Sequence, residues 1–240
     1  MITYTEEQAK QYTDLLTEKA GFGSLNAWIM KDHYGDRAAN AKGILKFYAS
    51  NQAQSYERVL DIGCGTGEML FQAYNYYHDA VDLVGVNLFR SQTVAERPDR
   101  IEAIFGDFEK DRGVLGQLEA FTQAKGNFDF AMINYTLGHF DSLYRVFNKV
   151  YQLLDKHGGV GIYDVTRTSI MRDNFLGYKL WSGREIMDAL CGTGFNRIEY
   201  ARSTLVLDEE LFDEKTEESQ KLIRDWKRWT RPVLLTARKM

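Results

Sequence analysis

Residues 58–68 read RVLDIGCGTGE, and the reading of the whole chain starts from them. Val59, Leu60 and Ile62 form a short apolar run of the kind seen in a parallel strand covered on both faces, with Asp61 near its end. Gly63, Gly65 and Gly67 then alternate with small residues. Glycines at this spacing let the backbone turn sharply and approach a ligand with no Cβ in the way. Met69 to Tyr77 follows as a helix, whose first amides lack intrahelical partners and face the same space. Strand, glycine turn and helix N-terminus together form a nucleotide-cofactor site at a strand's carboxyl end.

The spacing distinguishes among cofactors. A dinucleotide fingerprint, Gly-x-Gly-x-x-Gly, ends on a glycine that lets helix and strand pack closely. Counted from Gly63 that last position is Glu68, and counted from Gly65 it is Leu70, so NAD and FAD are disfavoured. No Gly-Lys-Ser/Thr follows, which removes the Walker phosphate loop. The stretch resembles instead the first motif of class I S-adenosylmethionine (SAM)-dependent methyltransferases, Asp/Glu-x-Gly-x-Gly-x-Gly. The bland alternative is a glycine turn in some other α/β protein. The resemblance implies a Rossmann-like α/β fold, a seven-stranded, mostly parallel sheet with one antiparallel final strand. It also implies a helical N-terminal arm over residues 1–50 and a SAM-binding domain over 51–240 with substrate-cap insertions near 166–181 and 208–230. SAM is then the cofactor, S-adenosylhomocysteine (SAH) its product, and Asp61, Gly63, Gly65 and Gly67 cofactor contacts.

The 240 residues suit one domain with insertions and can bury a substantial core. Hydrophobic residues make up 44% and charged residues 27%, an ordinary globular balance. A formal net charge of −4 argues against a nucleic-acid partner, since phosphate binding relies on clustered Lys and Arg. Cys64 lies in the glycine motif and Cys191 in a predicted helix, so neither a disulfide nor a metal site is expected from them. No signal peptide or membrane-length apolar run is read, which points to a cytoplasmic protein without an integral membrane segment. A homo-oligomer is compatible with all of this.

Residues 1–50 read as helical and, by the resemblance, as the arm that covers the cofactor. His33 and Tyr34 are candidate substrate contacts there, with amphipathic packing as the alternative. Asp82 to Asn87 reads as the second strand. The family usually places an acid at its end to hold the ribose hydroxyls, and here the position is Asn87, an amide without the carboxylate's charge. Gly85, Val86, Asn87, Leu88 and Gln92 resemble the Gly-Val/Ile-Asn/Thr-Leu/Ile-Ser-x-x-Gln segment of a branch containing cyclopropane-fatty-acid synthases and sterol and prenyl-diphosphate C-methyltransferases, with Phe89 at the serine position. Asn87 and Gln92 are carried over as cofactor contacts.

Ile101 to Phe108 reads as the third strand. The resemblance assigns Asp107 to the adenine amino group and Phe108 to stacking on the ring; a helix N-cap is the other reading of Asp107. Phe128 to Asn134 is the fourth strand and leads into the loop Asn134-Tyr135-Thr136-Leu137-Gly138-His139-Phe140. The prenyl-diphosphate branch often reads Asn-Glu-Ser at a similar place. Asn134 matches as a cofactor contact, and Tyr135 stands where that glutamate would be. Of the four histidines only His139 falls on this loop, with an ordinary pKa near that of a general base. Tyr135 and His139 are therefore the catalytic candidates, a structural histidine being the alternative for His139.

Leu143 to Leu154 reads as an amphipathic helix stopped by His157-Gly158-Gly159, and Val160 to Val165 as the fifth strand. Thr166 to Trp181 carries Arg167, Arg172, Tyr178 and Trp181, basic and aromatic residues that suit an anionic substrate with an apolar tail; a solvated loop is the alternative. Ser182 with Glu185 has capping-box spacing for a following helix. Strands are expected over Phe195–Leu207 and Val233–Arg238, with a charged insertion at 208–230 between them.

The resemblance implies a small-molecule acceptor. Methyl transfer to an alkene leaves a carbocation that aromatic faces can stabilise and a base then deprotonates. C-methylation of an isoprenoid such as a prenyl diphosphate, with Mg²⁺ to offset the diphosphate charge, is the leading expectation. An O- or N-methyltransferase of another metabolite, or a SAM-binding module without turnover, are the alternatives.

Overall fold

Short apolar segments alternate with helical ones, the pattern of parallel strands joined by crossover helices. In the computed structural model, residues 37–50, 56–65, 67–77, 81–88, 101–134, 136–167, 174–175, 178–202 and 230–239 are described. The helices are α1 (Arg37–Ser50), α2 (Glu68–Tyr77), α3 (Arg112–Lys125), α4 (Leu143–Leu153) and α5 (Gly183–Gly192), with a 3₁₀ turn at Leu137–His139. The strands are β1 (Arg58–Ile62), β2 (Asp82–Asn87), β3 (Ile101–Phe105), β4 (Phe128–Asn134), β5 (Leu154–Arg167), the short β6 (Asn174–Phe175) and β7 (Tyr178–Lys179), β8 (Phe195–Arg202) and β9 (Thr230–Lys239). The chain divides into one unit of Met1–Gly43 with Thr204–Arg228 and another of Ile44–Ser203 with Trp229–Met240. Beyond the first half of α1, the described elements belong to the second unit.

Seven strands form one sheet in the order β3-β2-β1-β4-β5-β9-β8, and β6 pairs with β7 apart from it. The pairs β1–β2, β2–β3, β1–β4 and β4–β5 are parallel, and β9 runs antiparallel to both β5 and β8. The expected sheet with one antiparallel final strand is what the chain forms. Strand order reverses between β1 and β4, so the carboxyl ends of β1, β2 and β4 open onto a crevice where such folds hold ligands.

Period-two alternation sends side chains to two covered faces. On one face Leu60, Ile62, Val84, Val86, Ile133, Val160 and Ile162 join Leu118 of α3 and Val146, Phe147 and Val150 of α4 in the main core. The α4 stripe Leu143, Val146, Phe147, Val150 and Leu153 recurs at helical spacing, which is why this polar-looking segment packs as a helix. On the other face Phe130 lies between Tyr48 of α1 and Tyr56, with ring centroids 5.2 Å and 4.7 Å away. Gly85 and Gly161 keep that face shallow. A Cβ at Gly85 would strike Leu70 of α2 and Cys64, and one at Gly161 would strike Tyr48 and Phe130.

Several boundaries differ from the sequence reading. Helix α4 ends at Leu153, and β5 begins at once with Leu154. His157-Gly158-Gly159 is therefore not the helix stop but part of an irregular strand, where the register with β4 shifts between Phe128↔Leu154 and Phe130↔Gly159. A glycine is needed there because a Cβ at Gly158 would lie 3.1 Å from the Phe128 and Asp129 carbonyls. Strand β3 stops at Phe105 rather than Phe108, since Gly106 turns the chain with φ 146°. Strand β9 begins before Pro232, which pairs with Val165 beyond the last described β8 partner, Arg202↔Val233. The predicted capping box of α5 is present: Glu185 N–H donates to Ser182 Oγ, and Ser182 N–H donates to Glu185 Oε2 at 2.7 Å.

Candidate active site

The glycine turn is set by backbone geometry. Gly63, Gly65 and Gly67 take φ values of 76°, 53° and 78°, a left-handed region costly for residues with a Cβ. Gly63 and Cys64 donate their N–H groups to the Val86 carbonyl at 2.8 Å and 3.1 Å, tying the turn to β2, and Gly67 N–H donates to Cys64 O at 2.8 Å. The first two glycines serve different ends. A Cβ at Gly63 would collide with Thr136 at the start of the β4 loop, whereas a Cβ at Gly65 would meet no atom of the described residues within 4 Å. Gly65 therefore presents bare backbone to the crevice.

Asn87 closes the same turn from β2, its Nδ2 donating to Gly65 O at 3.3 Å. An aspartate there would set a carboxylate against that carbonyl, which gives the amide a local physical reason. Asp61, at the end of β1, is only 2% exposed. Burial pushes its carboxyl up to about 7, with the Asn134 side chain opposing the rise. Asn134 Oδ1 accepts from Tyr48 Oη at 2.9 Å, and Tyr56 Oη donates to the Tyr48 carbonyl at 3.0 Å. The buried Nδ2 of Asn134 makes no hydrogen bond of full geometry among the described residues and bears only loosely on the Asp61 carboxyl, which leaves it able to meet an acceptor on a ligand.

The turn after β3 carries Asp107 and Phe108. Asp107 Oδ1 accepts from the N–H groups of Glu109 and Lys110 at 2.8 Å and 3.1 Å, and the N-cap of α3 is instead Asp111, which accepts from Gly113 N–H at 2.7 Å. Phe108, expected as the stacking face for adenine, is buried in the main core with Lys149 Nζ 5.9 Å from its ring centroid.

The β4 loop packs against the glycine turn through Thr136, whose Oγ1 donates to Asn134 O at 2.8 Å. His139 ends the 3₁₀ turn, its N–H donating to Thr136 O at 3.0 Å. The residue is exposed, and the protein packed around its ring draws its pKa below the ordinary histidine value. The ring is thereby kept neutral and able to accept a proton.

Two acids that the sequence reading missed brace this loop. Glu109, 2% exposed, accepts from the N–H groups of Asp141 and Ser142 at 2.7 Å and 3.0 Å and pairs with Arg145 at 3.2 Å. Asp164 of β5 accepts from Leu137 N–H at 2.8 Å. Asp164 had a signal in the sequence, a lone acid in the apolar strand VGIYDV. Glu109 had none, since its partners lie 32 and 33 residues downstream.

Of the residues expected to hold substrate, Arg167 is otherwise engaged. Its guanidinium donates to both carboxylate oxygens of Glu185 at 3.0 Å and 2.9 Å. That pair ties the end of β5 to the start of α5. Trp181 Nε1 donates to Leu137 O at 2.8 Å. His33, Tyr34, Gln92, Tyr135, Arg172 and the Tyr178 side chain lie outside the described residues. The residues present fit SAM: bare backbone at Gly65, a buried amide donor at Asn134, and a buried carboxyl at Asp61 that a cationic ligand would relieve. For Mg²⁺, no group of three or more His, Cys, Asp or Glu is placed to hold a metal ion among the described residues. No described helix is long and apolar enough to cross a membrane.

Residues 32–197 match the methyltransferase domain family. No curated protein matches the chain in sequence. Among solved structures, Haemonchus contortus phosphoethanolamine N-methyltransferase 2 in complex with SAM superposes with a TM-score of 0.65 at 18% identity, over 95% of this chain and 60% of that one. The chain thus spans under two thirds of that protein. Geranyl diphosphate C-methyltransferase from Streptomyces coelicolor A3(2), solved with Mg²⁺, geranyl diphosphate and SAH, gives 0.64 at 14% identity over 85% and 79% of the two chains. The [4+2]-cyclase SpnF gives 0.64 at 15% identity over 100% and 97%. At such identities these likenesses speak for the fold, and the family match covers more than half the sequence. With its glycine turn, its seven strands and that match, the chain belongs to the methyltransferase domain family and has the class I fold of SAM-dependent methyltransferases.

Proposed function

We propose that the domain methylates a small molecule, with SAM held across the glycine turn and His139 taking the proton the acceptor releases. Bound SAM supplies an electrophilic methyl carbon on a positively charged sulfur. The chain's own part is to hold, orient and deprotonate. Gly65 offers backbone without a side chain, Asn87 fixes that loop, Asp61 offers a buried carboxyl to the ligand's ammonium group, and Asn134 Nδ2 offers an N–H to an acceptor such as its carboxylate. The observation that carries the reading is geometric: His139 ends the 3₁₀ turn of the loop that Thr136 seats against Gly63, at the rim that bears the glycine turn, and its pKa is drawn below the ordinary histidine value. Neutrality at physiological pH is what a general base needs. His139→Ala is expected to slow turnover by about 10²- to 10⁴-fold and to leave SAM binding nearly intact; unchanged turnover discards the base role.

For the acceptor, an isoprenoid carbon, as in a prenyl diphosphate, is favoured by the segment Gly85-Val86-Asn87-Leu88 with Gln92 and its resemblance to the C-methyltransferase branch. A diphosphate needs cations, and with Arg167 held by Glu185 that task falls on Arg172 and on residues outside the described set. The same Arg167–Glu185 pair favours a second reading, an uncharged oxygen or nitrogen nucleophile deprotonated by His139. Incubation with methyl-labelled SAM and a panel of prenyl diphosphates separates the two. Label on carbon supports the first reading, label on oxygen or nitrogen of another metabolite supports the second. SAM binding without product from any extract would favour a non-catalytic module.

A further inference from the structure

Two polar groups that the proposed reaction does not use meet at one residue. Asp164, 1% exposed on β5, accepts from Leu137 N–H at 2.8 Å. Trp181, half-buried ahead of α5, donates from Nε1 to the Leu137 carbonyl at 2.8 Å. Leu137 is thus gripped on both its amide and its carbonyl, while its side chain is sunk in the core. The 3₁₀ turn is built on that residue: the Phe140 N–H donates to the same Leu137 carbonyl at 3.2 Å. On the outer side of the indole, Lys179 Nζ lies 3.6 Å from the ring centroid and donates to Asp141 O at 3.3 Å, so the indole is tied to both ends of the loop. A buried carboxylate or a half-buried indole N–H is costly to leave unpartnered, which makes these pairings specific rather than incidental.

We infer that Trp181, with Asp164, is a positioning residue: by gripping Leu137 from both sides it fixes the turn that presents His139 to the acceptor. Trp181 then acts through its indole N–H on the turn and not by touching substrate. The inference deepens the reading of His139 as proton acceptor and rests on it, but its test needs no acceptor. Among the described residues, the charged groups set around the turn are Asp164, Glu109, Asp141, Lys110, Arg145 and Lys179. Trp181→Phe alters none of them and keeps an aromatic ring under Lys179, so any change at His139 reports burial and not charge.

The experiment is an NMR titration of the histidine ring signals of the full chain, with the His139 signal assigned by its loss in His139→Asn, alongside calorimetry with SAH. In Trp181→Phe the His139 midpoint is expected to move up toward the ordinary histidine value, because a loosened turn lets the exposed ring move clear of the protein that packs around it. SAH affinity is expected to change by less than about twofold. Replacing Trp181 by its benzothienyl analogue, which keeps shape and ring but lacks the N–H, is expected to give the same upward shift and covers the case in which the Phe variant fails to fold. An unmoved His139 midpoint in either folded protein overturns the inference, as does a loss of SAH affinity beyond tenfold, which would make Trp181 part of the cofactor site. Failure of the base reading would show separately, as unimpaired turnover in His139→Ala.

Discussion

Asp61 is placed at odds with its own solvation. A carboxyl ordinarily titrating near 4 is held at about 7 because it is buried, with only the Asn134 amide against the rise. The unfolded chain ionises it from about pH 4 upward, while the folded chain still holds the proton, so the contribution of Asp61 to stability is full below about pH 4 and is lost as pH rises to about 7. Asp61→Asn is therefore expected to stabilise the ligand-free protein at pH 8 by between about 1 and 4 kcal/mol. It should also flatten the decline of melting temperature between those pH values, and weaken SAM binding. A melting temperature lowered by the substitution, read by calorimetric scans across that range, would refute this reading of Asp61.

The two glycines of the turn make a second prediction at the same scale. Gly63→Ala faces both a left-handed φ and the Thr136 side chain, so it is expected to lower stability by roughly 2–4 kcal/mol. Gly65→Ala has only the backbone cost, about 1–2 kcal/mol, yet fills the surface offered to the cofactor. It should cost SAH at least tenfold in affinity where the fold survives. Urea unfolding and calorimetric titration of the two variants check the contrast; equal stability loss in both would contradict the assignment.

At the level of elements, what was legible in the sequence is what neighbours along the chain decide. The β1 turn and α2, the cap of α5, the stripe of α4 and the end of β2 each follow from residues a few positions apart. The remainder depends on distant partners. The start of β5 could not be read because its glycines answer to the Phe128 and Asp129 carbonyls of β4. The burial of Phe108 in the main core could not be read, because an aromatic beside an acid reads the same whichever way it points. Arg167 looked free because its partner Glu185 had already been spent, in the reading, on a helix cap. It serves both. Glu109 is the clearest case: it caps the approach to α4 across two elements. Glu109→Ala would leave two amides and Arg145 without their acceptor and is expected to cost about 2–4 kcal/mol in urea unfolding, with Glu109→Gln costing less than half of that. A neutral Glu109→Ala would show that the loop draws its order from elsewhere.

For the molecule as a whole, the parallel sheet does one thing for function: it brings the ends of β1, β2 and β4 to a single rim, where the glycine turn, Asn87, Asp61, Asn134 and the His139 loop come from separate stretches of chain. Rate should follow the protonation of that loop. Because desolvation holds His139 below the ordinary histidine pKa, turnover is expected to stay level as pH falls to about 6.5 and to drop only below it. A pH–rate profile that falls off above neutrality on its acid side would disagree.

The most direct measurement is a crystal structure with SAH. The account predicts adenosine lying over Gly65, with Asn87 and Asp107 at its ribose and adenine, the amino-acid end against Asp61 and Asn134, and the thioether sulfur facing the turn that carries His139. SAH bound away from the carboxyl ends of β1 and β2, or a sulfur turned from the His139 loop, would contradict it.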